Sequence, residues 1–336
     1  MAIADRLRLA GLALSVLVVS GLVTGQAGAQ PRPAASASYP DRVVRMIVPA
    51  AAGSGPDALG RLLATHLAEQ WGKAVIVENV LGAGGIVGHE RGARATADGH
   101  TMLMGLIGPM SVSASLDARM PFDPVRDLAP VTLLVTLPNI LVVHPAIPVA
   151  SLDALIRYAR QNPGKVRYAH PGSGTALHLA YEQLKLMAGV DIQGIAYKAS
   201  TQMTTDIVGG HIETMFHNAS IVLPLVRSGA LRAIAITSAQ RIAAAADIPT
   251  MAEAGLPGHE VSAWYAMYVP AATPKALVAR LNTDLARALG EPAVKDWMSR
   301  QAGVTGGGTP EEMAAFQATE TAKWKRLVTQ ANIKAD

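Results

Sequence analysis

The stretch RVVRMIVPAAAGSGPDALGRLLATHLAEQ, residues 42–70, changes character twice, and those two changes decide the fold. VVRMIVP has the apolar, β-branched character of a strand. A run of small residues follows, and then Leu59, Leu62, Leu63, His66 and Leu67 recur at i, i+3, i+4, i+7 and i+8, the spacing of one buried helical stripe. Ser54 and Asp57 have the S-x-x-D spacing of an N-terminal cap, and Pro56 suits a first helical turn. A helix start flanked by Gly53 and Gly55 turns backbone N–H groups outward, as an anion site requires. An ordinary capped turn with nothing bound uses the same residues.

Strand and helix keep alternating beyond this unit. AVIVEN reads as strand, GIVGHERGARA as helix and HTMLMGLI as strand, the pattern of an α/β layer with a largely parallel sheet. DLAPVTLLVTLPNILVVHP, residues 127–145, is extended and longer than an ordinary strand, with only Pro138 and Asn139 interrupting it. A second α/β unit runs to the strand LRAIAIT (231–237), and another extended stretch, HEVSAWYAMYVP (259–270), leads into three closing helices. Two crossings that bracket a complete α/β unit predict an α/β protein of two lobes joined by two hinge-crossing strands. The expected division is 39–138 with 263–336 against 139–262. Ligands of open α/β sheets lie beyond the carboxyl ends of strands, and a cleft between hinged lobes is a usual small-molecule pocket.

The second lobe repeats the opening design. In AHPGSGTALHLA (169–180) a strand ends, Gly172, Ser173 and Gly174 follow, and Thr175 caps a helix with the stripe Leu177, Ala180, Tyr181, Leu184 and Ala188. Two such loops, one per lobe, can face each other. Magnitudes favour a carboxylate between them, because a hydrogen bond to a charged acceptor contributes about 1.5–3 kcal/mol. About four such contacts can then reach the roughly 8 kcal/mol of a micromolar complex after the costs of association.

Other chemistries fit less well. VLGAGGIVG (80–88) follows a strand, but Val87 stands where a dinucleotide fingerprint needs its third glycine. Ser173 lacks the flanking glycines of a nucleophile elbow, since Pro171 and Thr175 occupy those positions. His89-Glu90 has no second His four residues on, and His211 with His217 has no carboxylate at ligand spacing, so neither a metal nor a cofactor is expected. A hydrolase using Ser173 with His170 is the enzymatic alternative. A nucleic-acid partner is excluded by scattered Lys and Arg and an aromatic content of 4%. The dense cluster KWKR (323–326) is expected to be a solvated helix face.

Residues 1–29 read as a secretory signal. Arg6 and Arg8 precede the apolar run LALSVLVVSGLV, and Ala27 and Ala29 occupy A-x-A positions, so cleavage is expected after Ala29. That run is well short of a membrane-spanning helix. Without these residues the formal charge of +4 falls to +3, a mild bias only. Cysteine is absent, which excludes a disulfide framework, a thiolate nucleophile and a lipidated N-terminal Cys. The expected mature chain is a monomer free in the periplasm.

These residues carry a resemblance over 39–333. The segments YPDRVVRMIVPAAAGSGPDALGRLLATHL, VIVENVLGAGGIVGHERGARATADGHTML, FDPVRDLAPVTLLVTLPNILVVHP, NPGKVRYAHPGSGTALHLAYEQLKLMAGVDIQGIAYK and IPTMAEAGLPGHEVSAWYAMYVPAATP resemble the Bug family, the extracytoplasmic solute receptors of tripartite tricarboxylate transporters. The likeness implies a type II periplasmic binding protein, a Venus flytrap, that closes on a small carboxylated solute and delivers it to membrane permease subunits. It also implies the site: Ala51, Ala52, Gly53, Ser54, Gly55 and Asp57 from the first loop, and His170, Gly172, Ser173, Gly174, Thr175 and His178 from the second lobe. Tyr197, Lys198 and Ala199, with Phe216, His217 and Asn218, would complete the pocket wall. A partner that senses the closed form, instead of a permease, is the alternative for delivery.

Several positions depart from the family pattern, among them the usual Gly-rich run, diluted here to AAAGSG. Ala50 replaces an aromatic, Ala199 a glycine, and His217-Asn218 an acidic residue after the Phe. Loss of the acidic residue leaves Asp57 as the one plausible counter-charge for a ligand ammonium, which disfavours amino acids. If His217 contacts a carboxylate, affinity should rise as pH falls through about 6.5.

Overall fold

In the computed structural model, which describes residues 39–116, 120–172, 175–197, 199–331 and 333, the opening stretch forms β1 (Val44–Val48) and α1 (Gly55–Trp71). Leu59, Leu63 and Leu67 are fully buried beneath Val44, Met46 and Val48. At about 2 kcal/mol for each buried leucine, this stripe alone accounts for the docking of α1. Next come β2 (Val75–Asn79), α2 (Ile86–Ala93), β3 (Thr101–Leu106), a π-turn at Gly108–Val112, α3 (Ser113–Leu116) and β4 (Leu128–Leu137). After Pro138 the chain continues as β5 (Asn139–Val143), α4 (Leu152–Gln161), β6 (Arg167–His170), α5 (Ala176–Ala188), β7 (Gln193–Ala196), α6 (Ser200–Val208), β8 (Thr214–Asn218), α7 (Ala219–Arg227) and β9 (Arg232–Ile236). It closes with β10 (Ala263–Pro270), α8 (Lys275–Leu289), α9 (Pro292–Arg300), β11 (Val304–Gly307) and α10 (Pro310–Gln330). The expected signal segment, 1–29, lies outside the described residues.

The strands make two sheets, ordered β11-β4-β10-β3-β1-β2 and β7-β6-β8-β5-β9. β1 is parallel to β2 and β3, and β6 is parallel to β7 and β8. The hinge strands run against this grain: β10 is antiparallel to β3 and β4, and β5 is antiparallel to β8 and β9. Pro138, which has no N–H to give a ladder, divides the long apolar stretch between the sheets. The second crossing is shorter than its sequence suggests, because residues 259–262 carry no strand pairing and β10 starts at Ala263. Within β4, Pro130 faces Tyr268 where the register with β10 shifts, a bulge that accommodates the missing donor.

Asn139, 1% exposed, ties the two crossings together. Its backbone exchanges hydrogen bonds with Thr237, donating to Oγ1 at 2.9 Å and accepting from the Thr237 N–H at 2.9 Å. Its side-chain Nδ2 donates to the Val261 carbonyl at 3.0 Å. A third link is α10, which opens with a capping box between Thr309 and Glu312 and packs against β4, the π-turn and α5. The Glu320 carboxylate accepts from the indoles of Trp264 at 3.2 Å and Trp324 at 3.0 Å, and pairs with Lys323. The KWKR cluster is therefore only partly a solvated face. Trp324 is fully buried and Lys323 lies 4.5 Å over its ring, while Lys325 and Arg326 are exposed.

Removing the Asn139 amide leaves the buried Val261 carbonyl without that donor. Asn139→Ala is expected to lower stability by about 1–3 kcal/mol, read as a fall in the urea midpoint at unchanged slope. An unchanged midpoint would mean that the amide does not hold the two crossings.

Candidate functional site

The first loop leaves β1 at Pro49, which packs closely against the start of α2: a Cβ on Gly88 would come within 2.9 Å of the proline side chain. Gly82, Gly85 and Gly88 thus serve close packing, and Gly82, Gly84 and Gly85 take positive φ angles of 134°, 63° and 99°. His89 holds this turn to the next strand. The Leu106 N–H donates to its Nε2 at 3.0 Å, so Nδ1 carries the proton and donates to the Gly85 carbonyl at 2.8 Å.

Ser54 takes the extended N-cap conformation, but the expected cap through its side chain does not form. Its hydroxyl instead donates to the Ala51 carbonyl at 2.5 Å. Asp57 does the anchoring: it accepts from the Gly53 N–H at 2.8 Å, from Asn79 at 2.9 Å and from Arg61 at 3.0 Å, and is 3% exposed. The Arg61 hydrogen bond leads the causes that hold its carboxyl at about 2, below the ordinary 3.8. Every oxygen of Asp57 is engaged within the protein, so it offers no free counter-charge to a ligand. Ala51, Ala52 and Gly53 stand exposed on this anchored loop.

In the other sheet, β6 ends at His170. Thr175 caps α5, accepting from the His178 N–H at 3.4 Å and donating its hydroxyl hydrogen to the Gly172 carbonyl at 2.8 Å. His170 and His178 are nearly buried, with ring centroids 4.7 Å apart. Tyr197 follows β7 and gives its hydroxyl hydrogen to Asp206 at 2.7 Å, so that group is turned onto α6. Ser173, Gly174 and Lys198, three of the expected site residues, lie outside the described residues.

At the end of β8 two expectations fail. Phe216 is fully buried in the lobe core, edge-on to Tyr181 at 4.9 Å and stacked on His259 at 5.4 Å, so it lines no cleft. His217 is 2% exposed. Its Nδ1 accepts from the Asn218 N–H at 2.8 Å and its Nε2 lies 2.8 Å from Ser200 Oγ. Burial pushes the ring down to about 4 from 6.5. It is neutral near pH 7 and both nitrogens are satisfied, so it supplies no cation to a ligand.

Three contributors carry no local sequence signal. A side chain at Gly55 would meet the Tyr265 hydroxyl at 3.4 Å and Trp297 at 3.9 Å, which sets those two beside the α1 start. Burial pushes Tyr265 up to about 12, so it stays a neutral hydroxyl. Four residues beyond Trp297, Gln301 accepts from Ser220 of α7 at 3.3 Å, joining the two sheets' helix starts through the end of α9. A separate cavity of about 660 Å³ lies at the opposite end of both strand orders, beyond the hinge strands. Its walls include Gln240 and Arg241 after β9, Lys295 and Met298 of α9, Val304 of β11 and Phe316 of α10.

Residues 59–333 match the model of the tripartite tricarboxylate transporter family receptor. The chain is 35% identical to Protein BugT of Bordetella pertussis over 320 residues, 95% of this chain and 98% of that one. Among solved structures it is similar to Rpa4515 of R. palustris with adipate, at 33% identity and a TM-score of 0.76, covering 89% of this chain and 100% of that one. It is also similar to MatC (Rpa3494) of Rhodopseudomonas palustris with bound malate, at 29% identity and a TM-score of 0.72, covering 86% and 100%.

The anchoring of the first loop has a pH signature. A carboxyl lowered on folding contributes stability that is present above its ordinary 3.8 and is lost as pH falls through about 2. Asp57→Asn is expected to unfold at a lower temperature than the parent at pH 7, and this gap should shrink from pH 4 downward. A gap that stays constant from pH 7 to pH 2 would remove Asp57 from the anchor.

Proposed function

The chain belongs to the receptor family of tripartite tricarboxylate transporters, and from that premise we propose that it captures a small carboxylate and presents it to membrane permease subunits. The family is one of receptors, not enzymes, so the hydrolase reading of Ser173 with His170 is set aside. The lobes in this reading are 39–138 with 263–336, and 139–262. They close like a flytrap over the loop at 51–57 and the loop at 170–175, in the periplasm, after removal of residues 1–29.

One observation carries the choice of ligand: two of the ionisable groups expected to meet it, Asp57 and His217, are already neutralised or neutral. Asp57 is bound to Arg61 and Asn79, and His217 is held uncharged by burial. What remains is a set of neutral donors from the first loop, where Gly53 and Ser54 already give their N–H groups to Asp57 and Ala51, together with the α5 start and the Tyr265 hydroxyl. Such donors suit a carboxylate through charge-assisted hydrogen bonds and offer an ammonium no counter-charge. The adipate and malate of two similar structures point to the same class.

A thermal-shift screen of organic acids, sugars, amines and amino acids tests the reading. A bound acid at a hundred times its Kd stabilises by about 2.7 kcal/mol, so a clear rise in midpoint is expected for acids alone. Because His217 is neutral down to about 4, affinity should be level between pH 6 and pH 8, contrary to the rise with acidity that the sequence suggests. Stabilisation by amines or sugars without any response to acids would sink the proposal, and a tenfold gain in affinity from pH 8 to pH 6 would put a cationic histidine back in the site.

A further inference from the structure

Ser200 stands at the first position of α6, exposed, on the edge where β6, β7 and β8 end. The helix has no side-chain cap at Ala199, so its positive end is not covered by a side-chain oxygen. What distinguishes Ser200 is the group behind it. The Asn218 N–H donates to His217 Nδ1 at 2.8 Å, which requires the lone pair on Nδ1 and, in a neutral ring, the proton on Nε2. That Nε2–H lies 2.8 Å from Ser200 Oγ, so the imidazole donates and the hydroxyl oxygen accepts. The serine's own hydrogen is left to give away. Its second lone pair remains, but the imidazole N–H dipole and the helix start both present positive ends there. A carboxylate is held at such a point, whereas an ammonium meets like polarity.

We propose that Ser200 is a specificity-determining residue of the receptor site, donating to a second acidic group of the ligand and discriminating against an amino group, with His217 as the residue that orients it. The inference rests on the receptor reading above and adds a ligand class to it: α,ω-diacids over the corresponding ω-amino acids. Among the described residues, the nearby carboxylates already have partners. Asp57 is tied to Arg61, and Asp206 on the same helix already accepts from Tyr197.

The test is a matched pair of ligands. Adipate and 6-aminohexanoate have the same chain length and differ in one terminus, and titration calorimetry on the mature chain gives the ratio of their Kd values. The parent should prefer adipate. Ser200→Ala should weaken adipate about tenfold, as expected for one hydrogen bond to a charged group, and leave 6-aminohexanoate within about twofold. His217→Gln, which keeps a side-chain N–H donor, should retain the preference. His217→Phe, which fills the space without a donor, should lose it to the extent that Ser200→Ala does, and the double variant Ser200→Ala/His217→Phe should lose no more than either alone. A ratio compares two ligands on the same folded protein, so lowered stability does not move it. Should His217→Phe fail to fold, the Ser200→Ala ratio decides.

Diacids of four to eight carbons are screened first, and the tightest replaces adipate in the pair if adipate itself is weak. If no organic acid binds, the receptor reading fails. If acids bind but only as monocarboxylates, or if diacids bind and the ratio is unchanged in Ser200→Ala, this inference alone falls.

Discussion

The structure depends on a constraint in the backbone: two sheets share one extended segment, β4 into β5, with nothing between them but Pro138. A helical crossover would let the sheets face in any direction. A single residue does not. The chain leaves the first sheet at the end of β4 and enters the second at the start of β5, so the edge where β1 and β3 end is joined directly to the edge where β6 and β8 end. The glycine loops on both edges are thereby turned toward one seam. Asn139 then holds this crossing to the second one, through Thr237 and Val261.

Much of this was legible in the sequence because it is local. Strand-to-helix alternation, the glycine turns after β1 and β6, and the crossing at 127–145 each follow from spacing and residue type over short windows. What was misread depends on partners distant in the chain or on burial. Asp57 looks like a capping partner of Ser54, but its decisive neighbours are Arg61 and Asn79, and Asn79 arrives only when β2 pairs with β1. The four residues Thr214 to His217 are all buried, so no polar–apolar alternation tells which face each side chain takes, and the packing of Phe216 into the lobe core is not legible in them. The neutrality of His217 cannot be read from a sequence at all, since it results from the packing around β8. Ser200, Tyr265 and the Gln301–Ser220 contact have no motif; they become visible only when strand ends are brought to one edge.

The same principle runs through the polar interior. Charge is cancelled where it is anchored, as in Asp57 with Arg61, Arg167 with Glu213 at 2.6 Å, and Glu320 with Lys323. Donors near the seam are left neutral. Backbone amides and hydroxyls of this kind are fixed by the fold and lose less side-chain entropy on engaging an anion than lysine or arginine would. Their attraction is directional and short in range, so shape and spacing govern what is accepted more than net charge does. A formal charge of only +4 on the whole chain accords with recognition of that kind.

Of the four tryptophans, Trp264 lies on β10, a hinge strand, and shares the Glu320 carboxylate with Trp324 of α10, while Trp297 stands beside Gly55. Indole emission responds to a nearby carboxylate and to water, so the chromophores are placed where a swing of the lobes would change their surroundings. Trp71, at the end of α1, is bonded instead to Asp284 of α8, within one lobe of the proposed division. Under the proposed closure these indoles would serve as an optical gauge, with no dye attached.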